Sequence, residues 1–128
     1  MPAPSKVPPV FVAESQFDVL FDLASDTDTP AARLLLSELD RAVIIKDGDP
    51  GHVFARLGDR VRYRNVESGR EHTSTLVTPD RSDVDHGRIS VLSPAGAALI
   101  GLQAGAVLGW AEPARPRRAF EVLEVVQR

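Results

Sequence analysis

Residues 88–112 read "RISVLSPAGAALIGLQAGAVLGWAE", and between Arg88 and Glu112 no residue is charged. Gly101, Gly105 and Gly109 stand four apart, the small-xxx-small spacing at which membrane helices approach one another. The length is nominally enough for a membrane span, which takes about 20 apolar residues. Ser93-Pro94 argues against a span. Proline inside a helix removes a ladder hydrogen bond, whereas Ser followed by Pro is a start signal, a capping side chain and then a residue whose missing donor is not needed. Ser93 as cap, Pro94 in the first turn and Gly101 just past the end predict a short helix over "PAGAALI". Gly105 then marks a turn, "AVLGWAE" reads as a strand, and "RISVL" is a short buried strand before the helix. Gly96 and Ala97 predict that the helix backbone packs closely on a neighbour.

The remaining composition fits a soluble domain. Of 128 residues, 43% are hydrophobic and 26% charged, ordinary values for a globular chain. Aromatic content is 5%, so the core must be built mainly from Val, Leu, Ile and Ala. The absence of Cys excludes disulfides, thiolate zinc sites and thiol catalysis. The Pro-rich N-terminal residues have no long apolar core and do not read as a secretory signal, so a cytoplasmic location and no membrane association are expected. Charge is uneven. Residues 13–50 carry nine acidic and three basic side chains, and residues 51–128 nine acidic and eleven basic. That asymmetry suggests two functional parts. An acidic protein is a poor candidate for bare nucleic acid, where affinity comes from neutralising phosphates.

The period of the pattern changes along the chain. Residues 1–12, with four prolines, read as an extended segment. In "SQFDVLFDLA", Phe17, Leu20, Phe21 and Ala24 share one helical face, and Ser15 with Asp18 resembles a capping box. After the polar break "SDTDTP", Thr29 caps and Pro30 opens a second helix. It is expected to run through "AARLLLSELDRAVIIK", with Leu35, Leu39 and Ala42 facing the first. Residues 13–47 are thus read as an antiparallel helical hairpin, a short coiled-coil arm, whose longer helix spans about 25 Å. Its tip is acidic, with Asp22, Asp26 and Asp28, a pattern that also simply suits loops and helix ends. From residue 52 to 128 a mostly antiparallel sheet is expected. "DRVRYRNVE" alternates Val61, Tyr63 and Asn65 against Arg60, Arg62 and Arg64. "EHTSTLVTP" pairs with it across the "SGR" turn, and "RAFEVLEVV" alternates again, with Phe120 and Val122 inward. The fold class is α+β.

Independent chemistry has little support. His52, His72 and His86 show no metal-ligand spacing, and no phosphate loop, nucleophile elbow or zinc-protease motif occurs. No catalytic residue, metal or cofactor is expected. Trp110 reads as a core or sheet-face residue. The basic strips Arg60, Arg62, Arg64 and Arg115, Arg117, Arg118 read as solvated faces ahead of a nucleic-acid surface.

The segment "ISVLSPAGAALIGLQAGAVLGWAEPARPRRAFEVLEV" at 89–125 resembles the C-terminal domain of the GreA/GreB family of bacterial transcription factors. "SELDRA" at 37–42, "RVRYRN" at 60–65 and "TLVTP" at 75–79 resemble segments of a short-armed branch of that family, in order and at similar spacing. The resemblance implies an FKBP-like domain with one short helix behind the arm. It also implies docking at the rim of the RNA polymerase secondary channel, with the contact carried over to Leu92, Ser93 and Pro94. Leu92 stands where family members often have an acid. Gre factors hold a catalytic Mg²⁺ with an Asp and a Glu three apart at the tip, whereas here Asp26 and Asp28 are two apart. A monomeric regulator that competes with Gre-type factors, without transcript cleavage or direct sequence-specific nucleic-acid binding, is therefore expected. The alternatives are a Gre-like elongation factor whose acidic tip acts on the polymerase active centre, and an FKBP-like prolyl isomerase.

Overall fold

Side-chain caps start two of the three helices among the described residues. In the computed structural model, the Thr29 side chain accepts a hydrogen bond from the Ala32 amide at 3.1 Å and Pro30 takes the first turn of helix α2, Pro30–Asp40. Helix α1, Phe17–Ser25, precedes it and follows a tight turn over Glu14–Gln16. Ser15 falls in that turn and does not cap α1; its hydroxyl donates to Asp47 at 3.0 Å. The structure describes residues 8–49, 51–112 and 115–127, and the side chains of 110–112 and 115–117 lie outside the description. The readings of residues 1–7 as extended, of Trp110 as a core residue and of Arg115 and Arg117 as a solvated face fall there.

Helix α2 is shorter than its periodicity suggested. It stops at Asp40, and Val43–Ile45 instead forms strand β2, pairing in parallel with strand β1, Phe11–Ala13. Three consecutive β-branched residues lose side-chain freedom in a helix and fit an extended ladder. The Val43 amide donates to the Val10 carbonyl at 2.8 Å, so the strand pairing takes over directly after the helix end.

The sheet follows the alternation closely. Strands β3 (Arg60–Asn65), β4 (Glu71–Val77), β5 (Arg88–Ser90), β6 (Val107–Glu112) and β7 (Arg115–Val126) lie in the order β5-β4-β3-β7-β6. The β4–β5 pairing is parallel and the other three are antiparallel, so the sheet is mixed where an antiparallel one was expected. Val61 and Tyr63 are buried while Arg60 and Arg62 are exposed.

The uncharged stretch becomes the packed centre. Helix α3, Pro94–Leu99, is capped by the Ser93 side chain, and Gly101 and Gly105 adopt φ of 83° and 91°, values that suit glycine. Gly96 has no room for a side chain: a Cβ there would collide with the Ser90 carbonyl, and it would also lie 2.9 Å from the Val91 Cα. Val91, Ala97, Ala98, Leu99, Ile100 and Leu102 are all buried. They share one cluster with Leu20, Leu35 and Leu39 of the helices and Val61, Leu76 and Val122 of the sheet. The helices and the sheet therefore stand on a single core. No helix among the described residues is long and apolar enough to cross a membrane.

Candidate functional site

The corner at Leu92, Ser93 and Pro94 is a closed knot of hydrogen bonds. The Ser93 amide and hydroxyl both donate to the Ser90 carbonyl, at 2.9 and 2.6 Å. The same hydroxyl oxygen accepts from the Gly96 amide at 3.1 Å, and the Ser90 hydroxyl accepts from the Leu92 amide at 2.9 Å. All three corner residues are half-buried. The Ser93 side chain is thus committed to the fold, and Leu92 packs partly against the core. The surface left at the corner is uncharged and comes from the half-buried Leu92 and Pro94.

The acids at the other end are open to solvent. Asp22, Asp26 and Asp28 are exposed around the α1–α2 connection. The Asp26 amide closes α1 on the Asp22 carbonyl at 3.0 Å, and the Thr27 hydroxyl donates to the Leu23 carbonyl at 3.1 Å. Asp28 pairs with Arg33 at 2.6 Å, with both side chains mostly in water. Such a pair contributes little stability. Among the described residues no group of three or more His, Cys, Asp or Glu could hold a metal ion. The eleven-residue α2 spans only about 16 Å. It packs on both α1 and α3.

The basic strip is mostly compensated. Arg62 reaches Glu71 at 3.0 Å and Glu124 at 3.7 Å, and Arg64 reaches Glu121 at 2.5 Å. The strand register puts Glu124 across from Arg62 and Glu121 across from Arg64, while Glu71 meets Arg62 diagonally. These pairs lower the net positive charge that Arg62 and Arg64 present, while Arg60 of the same strip is exposed.

The histidines do not converge. His86 Nδ1 lies 2.6 Å from Asp83, His72 is exposed against the Tyr63 ring, and His52 sits beside Phe11. The open cleft of about 690 Å³ at the end of β4 is lined by Leu57, Thr75, Thr78, Asp80, Arg81 and Arg88 among others, with no aromatic residue. The Thr78 hydroxyl, at 2.6 Å, and backbone hydrogen bonding hold the Asp80 carboxyl below its ordinary range.

Two polar anchors were not singled out from sequence. Glu38 is buried in α2 and bonds Arg41 at 2.5 Å, while Arg41 also donates to the Pro8 carbonyl at 2.6 Å. Burial pushes the Glu38 carboxyl above its ordinary value, and Arg41 offsets part of that rise. Gln16 grips Leu57 with both ends of its amide, accepting from its N–H at 3.1 Å and donating to its carbonyl at 3.3 Å. The readable signal for Glu38 was its placement beside Leu35 and Leu39 on the buried face; for Gln16 there was none.

Comparison with known proteins agrees with this architecture. Residues 51–127 match the family model described as transcription elongation factor, GreA/GreB, C-term. The chain is 33% identical over 110 residues to the regulator of nucleoside diphosphate kinase of Escherichia coli, covering 86% of this chain and 81% of that protein. It is 39% identical over 97 residues to transcription elongation factor GreA of Hyphomonas neptunium, covering 73% and 61%. Among solved structures, the prokaryotic transcription elongation factor GreA/GreB from Nitrosomonas europaea matches with a TM-score of 0.72 at 28% identity, covering 94% of this chain and 99% of that one.

Proposed function

The chain belongs to the GreA/GreB transcription elongation factor family, and on that premise we propose that it regulates transcription by binding RNA polymerase. In this reading it docks at the rim of the secondary channel through the corner at Leu92, Ser93 and Pro94. There it competes with Gre-type factors and cleaves no transcript of its own. The observation that carries the reading is the family match across residues 51–127, which contain the hydrogen-bonded corner. We take the sheet unit as FKBP-like and the helix pair as the counterpart of a coiled-coil arm.

Three features support a role without catalysis. The relatives are named as a regulator and as elongation factors, not as enzymes. The helices are short and share the core of the sheet, so Asp22, Asp26 and Asp28 reach only a short way outward. A prolyl isomerase needs an aromatic-lined pocket, and the cleft at the end of β4 has no aromatic residue among its lining.

A fluorescence titration with core polymerase, followed by competition with a Gre factor, tests the proposal. Binding that the Gre factor displaces is expected; no binding and no competition sinks the idea. Pro94→Glu is the informative variant. An acid in the first helical turn suits the helix dipole, so circular dichroism should not change, while polymerase affinity should fall at least about tenfold, a loss of about 1.4 kcal/mol.

A further inference from the structure

Of the five phenylalanines only Phe21 is exposed, and it stands beside the half-buried Phe17. Phe17 and Phe21, one turn apart on α1, stack with ring centroids 6.1 Å apart and an interplanar angle of 11°. Phe21 is 46% exposed. The two rings form one wall of a groove of about 640 Å³, and Leu36, Leu39 and Asp40 of α2 form the other. A hollow of about 430 Å³ continues past Phe17 and Leu39 to Ala42 and Ile44, and Ile44 is also 46% exposed. A lone exposed apolar side chain needs no explanation, but a continuous apolar groove marks a site of interaction.

The rim gives the sign of the partner's charge. Glu14 and Asp18 edge one hollow and Asp40 the other. All three are exposed, and none forms an ion pair among the described residues. Arg33, the single base on the rim among the described residues, is occupied by Asp28 at 2.6 Å. The shape gives the form. Two neighbouring helices leave a furrow between rows of residues four apart, here Phe17 with Phe21 and Leu36 with Asp40, and such furrows accept a third helix.

We propose that this groove docks an amphipathic helix of a protein partner, with apolar anchors on one face and Lys or Arg along its flanks. The anchors fill the space between Phe17, Phe21 and Leu36 and run on to Ala42 and Ile44. The basic flanks face Glu14, Asp18 and Asp40. A second copy of the chain is a poor occupant. Helix α1 has no basic residue, α2 carries only Arg33, and α3 has no base and is largely buried. The inference does not depend on the docking corner at Leu92–Pro94 and holds whether or not that corner meets polymerase.

The test uses the full chain, labelled with ¹⁵N, and two synthetic amphipathic helical peptides, one of Leu and Lys and one of Leu and Glu. The Leu–Lys peptide should bind, with amide shifts concentrated in α1, α2 and residues 42–44, and the Leu–Glu peptide should bind at least about tenfold more weakly. Phe21→Ser should weaken Leu–Lys binding at least about tenfold without lowering the thermal midpoint, and the pair Asp18→Asn, Asp40→Asn should weaken it and flatten its salt dependence. No binding of the Leu–Lys peptide, equal binding of both peptides, shifts centred on the sheet, or unchanged affinity in Phe21→Ser would each overturn the proposal. So would concentration-dependent dimers in analytical ultracentrifugation that Phe21→Ser abolishes, since these would assign the groove to a second copy.

Discussion

Gly96 lies in a helix, where alanine is ordinarily favoured over glycine by about 1 kcal/mol. Here the ordinary preference should invert. A Cβ at that position would run into the Ser90 carbonyl and the Val91 backbone, neither of which can swing aside as a long side chain does. Gly96→Ala should destabilise the fold, by about 1–3 kcal/mol if it behaves as overpacking. A lowered urea midpoint confirms the close approach; a raised one means helix propensity rules there instead. Glu38 makes a second residue-scale prediction, through pH. Burial is the main influence on its carboxyl and lifts it above the ordinary 4.5. Between 4.5 and the folded value the native state therefore holds more proton than the unfolded chain. The contribution to stability is complete below 4.5 and is lost as pH rises through the folded value. Glu38→Gln keeps an acceptor for Arg41 but does not titrate, so its stability relative to the wild type should rise with pH across that window. Urea unfolding at a series of pH values reads this directly, and a constant difference would mean that Glu38 does not titrate differently in the two states.

At the scale of elements, the legible parts were those whose cause is local. Ser93-Pro94 and Thr29-Pro30 act within one turn of their own helices, and both were readable. Gly105 needed only its own dihedral freedom, whereas Gly101, readable as a helix end, also leaves room for Val10 and Phe11. The alternation of Arg60 to Asn65 shows which face is solvated without knowledge of any partner. What was not legible came from far along the chain. The end of α2 at Asp40 depends on Phe11–Ala13 pairing with Val43–Ile45. The charge state of the basic strip depends on Glu121 and Glu124 arriving on β7. The candidate corner was found through resemblance, and its hydrogen-bond knot depends on Ser90 being aimed back at Ser93. The two caps can be weighed against each other. Thr29→Ala removes one capping bond and should cost about 1 kcal/mol. Ser93→Ala also removes the hydroxyl bond to the Ser90 carbonyl, so it should cost more. Equal losses in chemical denaturation would show that the second bond adds nothing to stability.

For the whole molecule, the question is whether the acidic front half is a separate part. Its charge sets it apart, and an arm that projects freely would melt by itself. The buried residues argue otherwise. Leu20 and Leu35 of the helices are as fully enclosed as Leu76 and Val122 of the sheet, and all four belong to one cluster. Gln16 adds a two-point clamp on Leu57. Elements that share a core in this way lose it together, so unfolding should be one cooperative transition. Leu35→Ala should cost about 2–5 kcal/mol, as fully buried leucines do, and it should lower the protection of β3 and β4 amides as much as that of α2. If hydrogen exchange instead showed α1 and α2 opening alone, with the sheet amides untouched, the helices would be an independent arm. The reach of the acidic loop would then no longer be limited by the core on which it now rests.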